Sequence, residues 1–386
     1  VTTLRVAIAY DCLYPVNTGG GERVYRRMAE LLVERGHKVD YLTRRQWDGA
    51  APDASFRVVP VWSGEIYDDA GGRLTSAAVG FARALSRYLR RHRHDYDLVI
   101  VSALPVLNVF GARAALLGSR THVVTDWLEV WPWRKWREYS GALVGSAAFF
   151  LQVTGLRIAG DITVNSSFTR ARVRRYRRRS APVVLGLLDL VGAPGPTPTV
   201  PVDGGLALFA GRHIPDKQLA SLPAAIAVAR RSRDDVHLVV AGAGPETQRL
   251  RDAVAASGQE AAIRIVGRVD DDELDRLMAS AGVLVNPSRR EGFGLVVAEA
   301  AARGTPSVVV AGEDNAAAEL VHDGVNGFVA ESVSADDLGS AILRVLDAGE
   351  GLRVSTLGWF ERARETQNLA RSVDELLARY EASRAR

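Results

Sequence analysis

Two glutamates, Glu291 and Glu299, bracket an apolar stretch headed by Gly-Phe-Gly in "SRREGFGLVVAEAAARGTP" (288–306). A carboxylate set between Ala298 and Ala300 has to leave water, and an unpaired charge that does so costs several kcal/mol. Something is therefore expected to pair with it. If a helix starts near Phe293, Glu291 sits on the loop at its N-terminus and Glu299 about 9 Å further along, at ~1.5 Å per residue. The two acids could then each accept from ligand hydroxyls, with the amides of Phe293, Gly294 and Leu295 facing an anion between them. The alternative is a helix-end carboxylate at 291 and a core salt bridge at 299.

Three further stretches have the residue types to hold a phosphate. "FAGRHIPDKQLASL" (209–222) ends a strand at Gly211-Arg212 and opens a helix close to Lys217. An Arg offers a forked contact to phosphate oxygens and a Lys a compact charge, so the two together can hold a diphosphate while its sugar departs. Lysine is rare here, with only Lys38, Lys135 and Lys217 among 49 basic residues, which makes the one at 217 informative. Solvated loop charges are the competing reading. "TGGGERV" (18–24) places Gly19, Gly20 and Gly21 between a strand and a helix, either as an anion dock or as a tight turn. It lacks the spacing of the dinucleotide and P-loop fingerprints. "AGAGPE" (241–246), with Gly244, is another glycine turn at a strand end. "VDDDELD" (269–275) has the look of a metal-binding acid cluster, but its place before an apolar helical pattern favours capping and first-turn acids.

The elements that must position these residues alternate. "LRVAIAYDC", "HKVDYLT", "SFRVVPV", "YDLVIVSA", "RTHVVTDW" and "DITVNSS" read as strands, with helices at 22–36, 73–93 and 106–117. The proline- and glycine-rich "VGAPGPTPTVP" (191–201) reads as a linker. The alternation then restarts with "LALFAGR", "VHLVVAGAG", "IRIVGRV", "GVLVNPS" and "PSVVVAG". The expected organisation is α/β, two doubly wound Rossmann-like domains facing across a cleft. The expected boundaries are an N-terminal domain at 1–190, a linker at 191–202, a second domain at 203–360 and a C-terminal helix at 361–386 returning to the first domain.

Composition narrows the class. The chain has 386 residues, 47% hydrophobic, and one cysteine, Cys12, which excludes an internal disulfide framework and a cysteine-rich zinc site. No long apolar run opens the chain, so a cytoplasmic protein without a signal peptide is expected. Charge is uneven: residues 1–190 hold 28 basic against 17 acidic side chains, and the remainder 21 against 28. The first half is thus expected to meet something anionic. "TRARVRRYRRR" (169–179) has seven arginines, and residues 127–139 interleave four tryptophans and a tyrosine with cations. These suit an anionic membrane surface, at its inner face, or another anionic ligand, against the alternative of a solvated helix face and a packed loop. No nucleic-acid motif accompanies the charge. The apolar "GALVGSAAFFLQVTGLRIAG" (141–160) reads as a buried helix rather than an anchor.

In combination, "GGGERV", "FAGR" with Lys217, "VVAGAGPE", "VGRV" and "PSRREGFGLVVAEAAARGTPSVV" followed by "NGFV" resemble glycosyltransferase family 4 on the GT-B fold, with its E-x7-E motif. The resemblance spans nearly the full chain. It implies a retaining, metal-independent transfer of a hexose or N-acetylhexosamine from a UDP- or GDP-linked sugar, a co-substrate rather than a permanently bound cofactor. The acceptor is a hydroxyl on a glycan, a lipid-linked glycan or a natural product. By similarity, Arg212 and Lys217 bind the donor diphosphate, Glu291 the transferred sugar, Glu299 the ribose, the backbone near Arg268 and Val269 the base, and Gly20 and Gly21 approach the diphosphate from the other domain.

Two departures stand out. The loop histidine that many relatives place near the sugar is absent from "VVTDWLEVWPWRKW" (123–136), where Asp126 and Leu128 occupy the aligned positions and His122 lies at the strand's start. Either Asp126 or Glu129 takes over that contact, or it is lost. The usual "NG-x-D" before the linker is replaced by "LGLLD" (185–189). A catalytically silent sugar- or glycan-binding subunit and a nucleotide-sugar epimerase are the competing functions.

Overall fold

The computed structural model describes residues 2–17, 19–66, 74–178, 180–191 and 200–385. Most of the proline-rich stretch expected as a linker lies outside these residues. The chain divides into two units, Val1–Leu190 with Asn368–Arg386, and Val191–Gln367.

The first unit is built on β1 (Arg5–Ala9), β2 (Lys38–Arg45), β3 (Arg57–Ser63), β4 (Leu98–Ser102), β5 (His122–Trp127), β6 (Asp161–Val164) and β7 (Val183–Val184). They form one sheet in the order β3-β2-β1-β4-β5-β6-β7. All its pairings are parallel, with Val6 opposite Val39 on one side and Leu98 on the other. A parallel sheet is covered on both faces, which is why β4 reads "LVIVS" and is buried at every position. Its helices are α1 (Gly20–Glu34), α2 (Thr75–Arg91), α3 (Leu107–Ala115), α4 (Trp133–Ser140), α5 (Ala142–Ile158) and α6 (Ser167–Tyr176). The α4 helix lies in a stretch expected as a loop.

The second unit repeats the plan with β8 (Asp203–Ala210), β9 (His237–Ala241), β10 (Ile263–Gly267), β11 (Ala281–Asn286), β13 (Ser307–Val310) and β15 (Gly327–Ala330), ordered β10-β9-β8-β11-β13-β15. A separate short ladder joins β12 (Arg290–Glu291) to β14 (Asp314–Asn315). The helices are α7 (Leu222–Arg230), α8 (Thr247–Ser257), α9 (Asp271–Ser280), α10 (Leu295–Ala301) and α11 (Ala335–Thr366), the last interrupted at Gly349. Asp270 caps α9, its Oδ1 accepting from the Glu273 amide at 2.8 Å, so the acidic run at 269–275 serves the helix start.

The last helix, α12 (Leu369–Arg384), belongs to the first unit. Leu369, Val373, Leu376 and Tyr380 are its buried stripe, the Leu369 amide donates to Asp189 Oδ1 at 2.8 Å, and Ser372 Oγ accepts from the Gly186 amide at 2.9 Å. The "LGLLD" segment thus receives the returning chain. Because α11 continues to Thr366, the division falls at 367/368 and not at 360/361.

In both sheets the first strand has neighbours that lead the chain in opposite directions: β1 lies between β2 and β4, and β8 between β9 and β11. Loops leaving the carboxyl ends of such strands diverge and open a crevice, the usual ligand position in this architecture.

Candidate active site

In the second unit the loop after β8 meets the loop after β11. Arg212 is exposed, and its guanidinium takes no partner among the described residues. The chain then makes a 3-10 turn at Pro215–Lys217 and leaves it through Gln218 in the left-handed region, φ 49°. This turn aims Lys217 Nζ at Glu291 Oε1, and the two side chains form an ion pair, 16% and 14% exposed. Glu291 Oε1 also accepts from Ser288 Oγ at 2.9 Å and Asn286 Nδ2 at 3.2 Å. All three donors converge on one oxygen. Oε2 takes no donor among the described residues and is free to accept from a ligand hydroxyl.

The two loops are also stitched together beside that pair. The Arg289 amide donates to the Asp216 carbonyl at 2.8 Å, and the Asp216 carboxylate bridges Arg289 and Arg290, each at 2.9 Å. Beneath them, Asn315 Nδ2 donates to the carbonyls of Ser288 and Val310, both at 2.9 Å, while its Oδ1 accepts from the Ala317 amide at 3.1 Å. Asn286, Ser288 and Asn315 are buried. Glu291 therefore stands on a fully hydrogen-bonded polar base, the condition under which buried polar groups hold a fixed geometry.

Past Glu291 the chain turns into α10 through Gly294, φ 94°. A Cβ at this position would lie 2.5 Å from Ala317 Cβ, so both conformation and space demand glycine. The helix begins at Leu295, two residues later than expected, which puts Glu299 about 6 Å along its axis at ~1.5 Å per residue. Glu299 is half-buried between Ala298 and Ala300, which are buried, and Phe293 is half-buried.

The loops after β8, β9 and β10 interlock through their backbones. Gly211 donates to the Ala241 carbonyl at 3.0 Å, Gly242 to the Gly267 carbonyl at 2.7 Å, and His213 to the Ala243 carbonyl at 3.0 Å. A Cβ on Gly244 would meet the His213 carbonyl at 2.4 Å. The "AGAGPE" glycines thus have a packing duty of their own, letting one loop lie flat on another. Arg268, exposed, and Val269, half-buried, follow β10 at the same sheet edge.

In the first unit, Gly20 and Gly21 open α1 after β1, with Gly19 as its extended N-cap residue. Glu22, buried in the first turn, folds back so that a Cβ on Gly19 would strike its carboxylate at 2.3 Å, and Tyr10 Oη donates to Glu22 Oε1 at 3.5 Å. An acid already sits at this helix start, which strengthens the tight-turn reading of the glycines.

Asp126 does not stand on a loop. It is in β5, fully buried, with Tyr25 Oη donating to Oδ2 and Thr163 Oγ1 to Oδ1, each at 2.5 Å. Burial pushes its carboxyl up to about 6, against the pull of those two donors. The expectation that Asp126 touches the sugar is corrected by this geometry, because a strand covered on both faces buries its side chain and Tyr25 and Thr163 already occupy its carboxylate. Glu129 is exposed and accepts from Trp131 Nε1 at 2.6 Å. His122 is bound to Asp161 Oδ2 at 3.0 Å, at the opposite end of β5 from Trp127.

Comparison with known proteins decides the class. Residues 198–355 match the family model for "Glycosyl transferases group 1", and residues 19–186 that for "Glycosyl transferase 4-like domain". The chain belongs to glycosyltransferase family 4. Among similar members are the GDP-mannose-dependent alpha-(1-6)-phosphatidylinositol monomannoside mannosyltransferase of Mycobacterium tuberculosis, 27% identical over 75% of this chain and 78% of that protein. The phosphatidyl-myo-inositol mannosyltransferase of Mycobacterium leprae is 26% identical over 88% and 87%. A solved sucrose-phosphate synthase from Thermosynechococcus elongatus superposes with a TM-score of 0.78 over 99% of both chains at 20% identity, which shows the GT-B fold. As a family 4 member the chain transfers a sugar from a nucleotide sugar to an acceptor.

Of the residues singled out in the sequence, Arg212, Lys217, Gly244, Arg268, Val269, Glu291, Phe293, Gly294, Leu295 and Glu299 lie at the carboxyl edge of one sheet or on α10 beside it. Gly20 and Gly21 lie at the corresponding edge of the other. Sequence reasoning missed Asp216, Asn286, Ser288 and Asn315, which hold the family 4 motif in shape. "PDK" and "NPS" carried a hint, since each puts a short polar side chain within a turn.

Proposed function

We propose that the chain is a retaining, metal-independent hexosyltransferase. It takes a hexose or N-acetylhexosamine from a GDP- or UDP-linked donor and delivers it to a hydroxyl on a lipid-linked or otherwise anionic acceptor at an anionic membrane surface. Arg212 and Lys217 hold the donor diphosphate, Glu291 accepts from hydroxyls of the transferred sugar, Glu299 from the ribose, and the backbone at Arg268 and Val269 meets the base. Gly294 and Leu295 approach the diphosphate at the start of α10.

The observation that carries this reading is the Lys217 and Glu291 pair, which faces itself across the crevice between β8 and β11 with one glutamate oxygen committed and the other open. A cation for the leaving diphosphate and an acceptor for sugar hydroxyls then stand side by side. In the transfer, the bond from the anomeric carbon to the diphosphate oxygen breaks and the bond to the acceptor oxygen forms on the same face. The acceptor's proton passes to the departing phosphate, and Arg212 and Lys217 stabilise the charge that gathers there. The mycobacterial relatives support trying GDP-mannose first, with a lipid-linked acceptor.

The test follows purified protein with GDP-mannose, UDP-glucose and UDP-N-acetylglucosamine, scoring nucleoside diphosphate release and the anomeric configuration of the product by NMR, with and without chelator. An inverted product, or activity that chelator abolishes and a divalent cation restores, would remove the proposal.

A further inference from the structure

The α5 helix contradicts the expectation of a buried segment, and it does so on one side only. Leu143, Val144, Ala147, Phe150, Leu151 and Thr154 are exposed, with Leu143 at 88%, Phe150 at 66% and Val144 at 64%. At 100° per residue these positions fall on a single stripe, opposite the buried Gly145, Gln152 and Leu156. Arg157, in the last turn, is the only ionisable side chain among the helix's 17 residues. A soluble helix turns its polar face to water; this one turns an apolar face outward. Isolated exposed apolar residues need no explanation, but a continuous stripe of them does.

The stripe is held on a firm support. The α4 and α5 helices form a hairpin about Gly141, packed closely enough that a Cβ on Gly145 would strike the Trp136 carbonyl at 2.2 Å. The buried Gln152 accepts from the Trp131 amide at 2.9 Å and Trp136 Nε1 at 3.1 Å, and donates to the Trp131 carbonyl at 2.8 Å. Next to it, Phe149 meets Tyr176 of α6 edge-on, ring centroids 5.6 Å apart, and α6 also has the exposed Arg174 and Arg175. Exposed Arg134 and Arg137 rise from α4. Between residues 127 and 178 the chain has ten basic and three acidic side chains.

We propose that the α4–α5 hairpin is the element that docks the chain on an anionic bilayer: the outward stripe of α5 enters the headgroup boundary, and the arginines of α4 and α6 meet lipid phosphates. The inference rests on the membrane-surface part of the proposed function and names the surface responsible. An apolar face with exposed cations on the helices packed beside it is the pairing that interfacial helices use, since a modest apolar area and a modest charge attraction bind together where neither suffices alone. Among the described residues no helix is long and apolar enough to cross a membrane, so the contact is with the surface. A second copy of the chain is a poorer occupant, because it would set one group of arginines against another.

The experiment is co-sedimentation of the full chain with phosphatidylcholine vesicles, plain or mixed with phosphatidylglycerol, for wild type and for the double variant Leu143→Gln/Phe150→Gln. Both side chains stand in solvent, so an unchanged thermal midpoint is expected and checked. A control, Val354→Gln, alters an equally exposed apolar residue, 64%, of the other unit. The wild type and the control should bind anionic vesicles, less so at high salt, and the double variant should bind at least tenfold more weakly. Wild-type binding that the double variant retains would overturn the hairpin's role while leaving the membrane reading in place. Absence of binding to either vesicle would overturn both. Concentration-dependent dimerisation that the double variant abolishes, without vesicle binding, would assign the stripe to a second copy instead.

Discussion

Asp126→Asn separates a buried structural carboxylate from a catalytic one by its effect on stability against pH. Asp126 is fully buried between Tyr25 and Thr163, and its pKa is raised from 3.8 to about 6, with burial the main cause. Below about pH 3 the group is protonated in both folded and unfolded chains, and the stability of the protonated form is present in full. As pH rises the unfolded chain gives up its proton first, so stability falls; above about pH 6 the folded chain ionises too and the loss levels off. Two pKa units at about 1.4 kcal/mol each correspond to about 3 kcal/mol. The amide cannot ionise, and its oxygen and nitrogen can serve the Tyr25 and Thr163 hydroxyls in turn. The stability of Asp126→Asn relative to wild type should therefore rise by about 3 kcal/mol between pH 3 and pH 7. Denaturant unfolding followed by tryptophan fluorescence suits the purpose, because six of the seven tryptophans lie in the first unit and only Trp359 in the second. Stability curves that stay parallel across that range would refute the reasoning and show a carboxylate that remains solvated.

Lys217→Ala and Glu291→Gln should each lower kcat/KM by about two to three orders of magnitude, the usual loss when one charge-stabilising group is removed, with circular dichroism unchanged. Asp216→Asn weakens the bridge to Arg289 and Arg290. Worth about 1 kcal/mol, it should raise the donor KM about fivefold and spare kcat. Gly294→Ala forces a side chain into φ 94° and against Ala317; a loss of about 2–4 kcal/mol is expected in denaturant melts. Adding Ala317→Gly should restore only part of it, because the backbone strain remains. Arg353→Leu strips four acceptors, the carbonyls of Ala279, Ala281 and Arg303 and the Thr305 hydroxyl, of a buried guanidinium. It should cost about 3 kcal/mol and lower the thermal midpoint.

The alternation of strands and helices was legible because β-branched runs such as "LVIVS" and "SVVV" have no second use: only a sheet covered on both faces buries every position. The chemical residues were legible where their type was unusual for their surroundings, as with a lysine in an arginine-rich chain or an acid among alanines. Asp216 escaped notice because a turn aspartate has a sufficient local reason to exist, and only the fold brings Arg289 and Arg290 to it. Asp126 was misread for the reverse reason. It was placed by analogy on a loop, but the strand continues through it to Trp127, and in a sheet covered on both faces every such position is buried.

The α5 helix shows where a sequence pattern stops carrying information. Amphipathic helices announce their buried side by contrast, but "ALVGSAAFFLQVTGLRI" is apolar all round, and an all-apolar helix reads as buried by default. What distinguishes its two faces is what they meet. The inward side has Gly145 and Gly155, which allow close approach, the hydrogen-bonded Gln152 and the packed Leu156, while the outward side has Leu143, Phe150 and Leu151, which fill no cavity of the unit. Large apolar side chains left outside the core in a continuous stripe are expected where they have a separate apolar destination. The exposed arginines of the neighbouring α4 and α6 indicate an anionic one, and the vesicle experiment tests that destination without reference to the chemistry at Glu291.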